Sequence, residues 1–285
     1  MQVSGSIGIA QFPQHGQDEE TLLRLADLAM YQAKEQGKNT YVFYDPEMGT
    51  KLSQKMLIEK NLHNALKNEE FYLVYQPKLE LKTGRIIGVE ALLRWRSQVL
   101  GNVRPDEFIS IAEETPIIDD IGYWVLRQAI HQLKLWQNTP YQDIKIAINV
   151  SSKQLKNPNF LQDISRELSH VGVSPSLLQI ELTESTIMKN PDENVERFNL
   201  IRQKGFGLSV DDFGTGYSSL SYLKKFPLSE LKVDKSFVDG LPFEENDVSI
   251  SNTIIQLAHN LRMVVVAEGV ETLQQLNYLM EVDAI

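Results

Sequence analysis

The sequence predicts an α/β protein: a (β/α)8 TIM-like barrel preceded by a short α+β segment. From residue 71 onward, apolar runs of strand length alternate with amphipathic helical stretches. Repeated units of this kind form a parallel sheet that either closes into a barrel or stays open. Seven such runs favour the eight-stranded barrel, with its last strand still to come.

The first 45 residues predict a strand, a helix and a second strand. Val3–Ala10 alternates small and apolar residues, as a strand does. A helix is expected from Asp18, whose negative charge suits a helix start, to Gly37, which suits a helix end. Tyr41–Tyr44 predicts the second strand. The segment is too short to bury a core of its own.

Residues 46–69 predict a linker helix, because apolar residues recur there at helical spacing. We interpret it as a plain connector, and a role in signalling or dimerisation stays open. The barrel domain is then expected over residues 70–285. Its predicted strands are Phe71–Tyr75, Ile86–Val89, Ile144–Ile148, Leu177–Leu182, Phe206–Val210, Glu230–Val233 and Met263–Ala267. Its predicted helices include Pro105–Glu114, Ile118–Trp136, Asn159–Val171, Asn194–Lys204, Ser218–Phe226 and Val248–Leu261.

Polar residues lie at the ends of these runs, either as late residues of the predicted strand or directly after it. In a barrel the carboxyl ends of the strands meet at one mouth, where active sites lie. Clustered carboxylates repel one another, and one lysine does not balance them. Oxygen ligands of this kind suit Mg²⁺ or Mn²⁺, and two such ions about 3.5–4 Å apart support phosphoester hydrolysis. The residues are Glu90, Asn149, Glu181, Asp211, Asp212, Lys232 and Glu268.

Each of these residues also has a purely structural interpretation. Asp212 could cap a helix, with Gly214 and Gly216 making a turn. Asn149 could turn a loop, and Lys232 could be a surface lysine. The structural interpretation suits any one of them alone. It does not explain why all seven lie at the ends of predicted strands.

Composition excludes several classes of function. The formal net charge of −10 argues against binding a DNA or RNA polymer through a basic surface. The chain has no cysteine, which excludes disulfides, thiolate metal sites and cysteine nucleophiles. No apolar run approaches the ~20 residues of a membrane span, so we expect a cytoplasmic chain without membrane contact. A longer parent protein could still carry an anchor.

The N-terminal segment resembles the end of a GGDEF (diguanylate cyclase) domain. The matching residues are Ser6–Ala10, Ala26–Lys34 and Gly37–Asn39. The signature Gly-Gly-Asp-Glu-Phe loop does not occur, so the resemblance implies a C-terminal remnant without cyclase activity.

From about Leu62 to the last residue, the chain resembles the EAL family. The most specific motif is the run Asp211-Asp212-Phe213-Gly214-Thr215-Gly216. The other matching motifs are Glu90-Ala91-Leu92 with Arg94, Asn149-Val150-Ser151, Glu181-Leu182-Thr183-Glu184, Lys232-Val233-Asp234 and Glu268-Gly269-Val270-Glu271. The family hydrolyses cyclic di-GMP to linear pGpG. The resemblance therefore implies a two-metal cyclic di-GMP phosphodiesterase of bacterial signalling, functioning as a homodimer through the EAL domain.

The resemblance also implies a role for each matching residue. The metal ligands would be Glu90, Asn149, Glu181, Asp211, Asp212 and Glu268, with Asp211 bridging the two ions. Lys232 would orient or deprotonate the attacking water. Glu184 would fix the loop after Asp212, and Glu271 would support the site. The substrate contacts would be Gln76, Arg94 and Asp234.

Two departures from the family pattern bear on this expectation. Pro116 stands where the family usually has glycine, and little effect is expected. The chain ends at Ile285, before the family's eighth strand, its glutamine and its closing helix, so lower stability and activity are expected. The alternative function is a catalytically silent receptor that binds cyclic di-GMP. The filled set of ligand positions favours the enzyme.

Overall fold

The structure is a computed structural model that describes residues 4–216 and 219–282. The strands are β1 Ile7–Ile9, β2 Tyr41–Phe43, β3 Phe71–Glu80, β4 Arg85–Ser97, β5 Gly101–Val103, β6 Lys145–Asn149, β7 Leu178–Thr183, β8 Gly207–Phe213, β9 Glu230–Val233 and β10 Val264–Ala267. The longer helices are α1 Glu19–Glu35, α2 Pro46–Ala65, α3 Pro105–Glu114, α4 Ile117–Trp136, α6 Phe160–Val171, α8 Pro191–Gln203, α11 Glu245–Asn260 and α12 Leu273–Glu281. The short helices are α5 Ser152–Lys156, α7 Glu184–Met188, α9 Leu220–Leu223 and α10 Lys235–Val238.

The main sheet confirms the predicted barrel class. Its strands lie in the order β10-β9-β8-β7-β6-β4-β3, with β5 paired to β4. From β4 to β10 neighbouring strands run parallel, and helices connect them as the alternating pattern predicted. The strands bury their apolar side chains against these helices, as Phe71 does against Phe108 and Trp124. Every parallel strand therefore delivers its carboxyl end to one mouth.

The strand β3 departs from the expected parallel arrangement, because it pairs antiparallel with β4. A tight turn joins the two strands, with Gly84 at φ +68° and its N–H donating to the Glu80 carbonyl at 2.8 Å. A turn this short can only reverse the chain, whereas a parallel pair needs a crossover of a dozen residues or more. The strand also extends through Gln76 to Glu80, beyond its predicted end at Tyr75.

The sheet is open along one side in the part of the chain that the structure describes. No ladder among those residues joins β3 to β10, so these two strands form its edges. Tyr72 and Val74 on β3 are 38% and 36% exposed, and Val264 on β10 is 40% exposed. Side chains on both edge strands are therefore partly exposed to solvent.

The N-terminal unit consists of the parallel pair β1–β2 with α1 packed on it. An ion-pair junction ties this unit to the barrel. The Lys55 ammonium on α2 lies 2.6 Å from Glu35 at the end of α1 and 3.0 Å from Glu114 at the end of α3. Burial lowers the pKa of Lys55, but the two carboxylates outweigh this and raise it. The linker helix α2 therefore contacts both units through one side chain.

Most predicted elements are present, with boundaries shifted by a few residues. Val3 and Ser218, where two predicted elements begin, lie outside the described residues. The strand β5 and the short helices α5, α7 and α10 were not predicted, because segments of three to five residues are too short to show a periodicity. Among the described residues, no helix combines the length and apolar character that crossing a membrane requires.

Candidate active site

The carboxyl ends of the parallel strands bring the predicted polar residues together. Glu90 lies on β4, Glu181 on β7 and Lys232 on β9, and all three point into the barrel, where they meet. Asn149 ends β6 directly opposite Glu181 in the ladder, and its amide donates to a Glu90 oxygen at 2.7 Å. Glu268 follows the last residue of β10. The strand-end pattern thus converges on one mouth.

Lys232 occupies the centre of this cluster and is 1% exposed. Its ammonium nitrogen is surrounded by four carboxylates on four different strands or strand ends. The distances are 3.0 Å to Glu90, 3.2 Å to Glu181, 3.0 Å to Asp211 and 2.6 Å to Glu268. Burial lowers the pKa of Lys232, but the carboxylates outweigh it and raise the pKa well above its usual range. The lysine is therefore charged at neutral pH.

A backbone irregularity lets two consecutive residues face the same cluster. The ladder between β8 and β9 shifts register between Val210 and Phe213. Within that shift Asp212 has φ +54°, in the left-handed region that Asp tolerates better than most residues. Its N–H donates to the Asp211 carboxylate at 2.9 Å. In a regular strand the two side chains would point to opposite faces.

The acidic groups fit divalent cations. Oxygens of Glu90, Glu181 and Asp211 lie within 4.8 Å of one another, and oxygens of Asp211, Asp212 and Glu268 do so too. The two groups share Asp211, which is the residue expected to bridge two ions. All donors are hard oxygens, the ligand type that Mg²⁺ and Mn²⁺ prefer. The Lys232 ammonium is itself a cation, and it contacts four of these carboxylates.

Burial and neighbouring charges raise the pKa values of three acidic residues in the cluster. Burial, followed by the neighbouring Glu181, raises the pKa of Glu90. Burial and then Asp211 raise the pKa of Asp212, and burial raises that of Glu268 to about 7. Burial is the larger cause in each case, and repulsion between neighbouring carboxylates adds to it. A bound cation would offset both effects.

Glu184, at the start of α7, holds the loop that follows Asp212. One of its oxygens accepts from the N–H groups of Gly214 at 2.8 Å and Gly216 at 3.2 Å. Its other oxygen is buried and has no partner among the described residues. A side chain at Gly216 would begin 3.0 Å from that carboxylate, so a glycine there permits the close approach.

We expect Glu184→Gln to loosen this loop. Hydrogen bonds to a charged acceptor contribute about 1.5–3 kcal/mol each, and an amide oxygen is a weaker acceptor. The amides of Gly214 and Gly216 should exchange with deuterium at least about tenfold faster, while the core of β7 is unaffected. Hydrogen exchange with mass spectrometry measures this. Unchanged exchange in the loop would contradict the role of Glu184.

The other predicted residues lie around the cluster rather than in it. Gln76 is opposite Glu90 in the β3–β4 ladder and is exposed. Arg94 lies four residues beyond Glu90 on the same face of β4 and donates to the Leu93 carbonyl at 2.9 Å. Asp234 caps α10, and its charge contributes to the raised pKa of Asp212.

Glu271 lies outside the cluster. Its carboxylate pairs at 2.6 Å with Lys235 of α10, and its backbone N–H donates to Gln275 of α12. Within residues 4–216 and 219–282, none of its hydrogen bonds or ion pairs reaches the acidic residues. The contact joins the loop after β10 to α10, so any support that it gives to Glu268 acts through the backbone.

A cleft of about 280 Å³ opens beside the cluster, between β4, β6 and the helices α3 and α4. Its walls are mainly apolar and include Phe108 and Ile118. Arg94, Asn149 and Glu181 border it on the side of the acidic residues. An apolar slot with a few polar groups at one end is the usual form of a small-molecule site.

Two charged residues of the site were missed from the sequence. Lys78 on β3 lies 2.7 Å from Glu181 and 2.7 Å from Glu230 on β9. The available signal was the period of two along a strand: Lys78 is two residues after Gln76, and Glu230 is two before Lys232. Residues at that spacing share a face.

Fold and site together define a (β/α)-barrel protein with an acidic mouth. Comparison with known families identifies the family of barrel proteins. The EAL domain model matches residues 59–285, and the diguanylate cyclase GGDEF domain model matches residues 1–40. The chain belongs to the EAL domain family.

Curated relatives match nearly the whole chain. It is 40% identical over 279 residues to the bifunctional diguanylate cyclase/cyclic di-GMP phosphodiesterase MucR of Pseudomonas aeruginosa, covering 98% of this chain and 41% of that protein. It is 37% identical to the cyclic di-GMP phosphodiesterase NbdA of the same organism, covering 98% of this chain and 36% of that protein. The chain thus spans about two fifths or less of the length of these relatives.

Solved structures show the same architecture. The MucR phosphodiesterase in complex with c-di-GMP superposes with a TM-score of 0.77 at 39% identity, covering 80% of this chain and 92% of that chain. The cGMP-bound form of the EAL enzyme Bd1971 superposes with a TM-score of 0.78 at 28% identity, covering 93% of this chain and 73% of that chain.

Proposed function

We propose that this chain hydrolyses cyclic di-GMP to linear pGpG with two divalent cations, Mg²⁺ or Mn²⁺. The observation that carries the proposal is the pair of overlapping acidic groups that share Asp211 around Lys232. The similarity to cyclic di-GMP phosphodiesterases supports the choice of substrate. Two bound cations would supply a water of lowered pKa and balance the negative charge of the phosphate.

In this proposal Glu90, Asn149, Glu181 and Asp211 would hold one cation, while Asp211, Asp212 and Glu268 would hold the other. The amide of Asn149 now donates to Glu90, and its carbonyl oxygen is the atom that can serve as a ligand. Asp212 reaches the second group only because of the bulge in β8. The chain's own contribution is a rigid frame in which five parallel strands fix the ligand positions.

Lys232 orients the attacking water and stabilises the charge that develops on the phosphate. Its raised pKa makes it a poor base, because it keeps its proton at neutral pH. An ammonium held by carboxylates on several sides also has little freedom to move. We therefore propose an electrostatic and orienting role for Lys232 in place of proton abstraction.

Substrate would be held by Arg94, Gln76 and Asp234. Arg94 borders the cleft, where a guanidinium suits a phosphate oxygen. Gln76 faces the same interior from the neighbouring strand and offers both donors and acceptors. The apolar walls of the cleft suit the flat faces of a guanine base.

The family resemblance also supports proposals about the domain boundaries, the oligomeric state and the location of the chain. We propose the division into a segment similar to the end of a GGDEF domain at 1–45, a linker helix at 46–69 and an EAL domain at 70–285. The helix α2 at Pro46–Ala65 supports the linker. A homodimer through the EAL domain and a cytoplasmic location are proposed on the resemblance alone.

The test incubates the purified chain with cyclic di-GMP and Mg²⁺ or Mn²⁺, and follows pGpG by chromatography. We expect product with either metal, none in excess EDTA, and none from Glu90→Ala. Calorimetry with cyclic di-GMP and Ca²⁺ measures binding separately from turnover. Tight binding without product under any metal would identify the silent receptor, and product in excess EDTA would overturn the two-metal proposal.

A further inference from the structure

Beneath the acidic mouth, the barrel interior contains a second layer of charge. Lys78 reaches from β3 at the sheet edge to Glu181 on β7 and to Glu230 on β9, each at 2.7 Å. The side chains of Lys78 and Glu230 are both 13% exposed, and that of Glu181 is fully buried. Three strands that are not neighbours in the sheet thus meet through one ammonium group.

The two oxygens of Glu181 are divided between two lysines. Oε1 faces Lys78 at 2.7 Å, and Oε2 faces Lys232 at 3.2 Å. A carboxylate held on both oxygens cannot rotate about its terminal bond without losing one contact. Lys78 therefore fixes the plane of the Glu181 carboxylate and leaves one of its two equivalent oxygens facing the acidic cluster.

Glu230 in turn fixes Lys78. It is two residues before Lys232 on β9 and so faces the same interior. The Lys78–Glu230 pair carries no net charge, so its effect on a cation at the mouth is mainly one of geometry.

We propose that Lys78, anchored by Glu230, is a positioning residue that orients Glu181 for cation binding. The inference rests on the proposed function, in which Glu181 is a metal ligand. Groups that hold a ligand from behind typically change metal affinity 10–100-fold when they are removed. Among the described residues the ion pairs of Lys78 go to Glu181 and Glu230 and not to the second acidic group, so its effect should appear in metal affinity first.

The experiment compares wild type with Lys78→Met, Glu230→Gln and the double variant. Calorimetry gives the Mn²⁺ dissociation constant without nucleotide, and thermal unfolding in EDTA gives stability. Lys78→Met alone leaves Glu230 buried without its partner, which lowers stability. It also leaves Glu181 held on one oxygen only, which raises the Mn²⁺ dissociation constant. In the double variant both charges are gone, and exchanging a whole buried pair for neutral residues is often harmless to stability.

We expect Lys78→Met to weaken Mn²⁺ binding at least about tenfold. The double variant should recover most of the melting temperature in EDTA. It should not recover the Mn²⁺ affinity, because Glu181 still lacks its contact with Lys78. Glu230→Gln keeps the contact between Lys78 and Glu181, so an intermediate loss of Mn²⁺ affinity is expected. This variant keeps the test valid if Lys78→Met does not fold. Lys145→Met, an exposed lysine on β6, is the control and should change neither quantity.

Recovery of Mn²⁺ affinity together with stability in the double variant would show that Lys78 has only a structural role, and would overturn the inference. Unchanged affinity in all three variants would do the same. A wild-type chain that binds Mn²⁺ but leaves cyclic di-GMP intact overturns hydrolysis and not the positioning of Glu181. A wild-type chain that binds no Mn²⁺ overturns both.

Discussion

Replacing Lys232 with methionine is expected to lower kcat for cyclic di-GMP about 100–1,000-fold while KM changes little. The ammonium contacts four carboxylates. Among the described residues, no other positively charged side chain contacts all four. In our proposal it orients the water and balances charge that develops only during reaction. Loss of such an interaction reduces kcat more than substrate binding.

The same variant should also be less stable without metal. Removing one partner of a buried ion pair typically costs about 3–5 kcal/mol, because the remaining charges stay buried and unbalanced. Kinetics should therefore be measured at saturating Mg²⁺, after circular dichroism has shown a folded chain. Lys204→Met, an exposed lysine at the end of α8, is the matched control. A raised KM with unchanged kcat would make Lys232 a binding group and contradict its assigned role.

Asp211→Asn is expected to abolish turnover and to weaken Mn²⁺ binding at both positions. Asp211 is the residue common to the two acidic groups, so its loss removes a negative ligand from each. Glu90→Gln removes a ligand from the first group only, and Glu268→Gln from the second only. Calorimetry should therefore show two weakened binding events for Asp211→Asn and one for each of the other variants.

The change from Asp to Asn keeps the size of the side chain, so the effect reports charge and not packing. Asp143→Asn, on an exposed loop before β6, is the control and should leave both binding events intact. Two intact events in Asp211→Asn would contradict the shared position of Asp211. Residual pGpG above about one thousandth of the wild-type rate would contradict its assignment to both groups.

The sequence was sufficient to predict the centre of the site because two regularities act together there. Alternation of strands and helices puts successive strands parallel, and parallel strands end at one mouth. Glu90, Glu181 and Lys232 each lie within or directly after an apolar run, so their convergence needs no side-chain detail. The structure places these residues in contact.

Features that depend on contacts across the barrel could not be predicted in this way. The reversal of β3 depends on the short turn around Gly84, and the contacts of Lys78 with β7 and β9 form across the barrel. The bulge at Asp212 depends on a φ of +54°, which no periodicity encodes. Glu271 matched the family motif, yet its side chain pairs with Lys235 on the surface.

The surplus of carboxylates over lysines at the mouth links the folding of this chain to its ionic surroundings. Any cation that binds the assembled cluster but not the extended chain shifts the folding equilibrium by mass action. At a concentration one hundred times its dissociation constant, that shift is about 2.7 kcal/mol. The free energy of unfolding of a typical domain is only about 5–15 kcal/mol, so cation binding contributes a large fraction of it. Chelation would then remove a substantial part of the free energy of unfolding without altering a single residue.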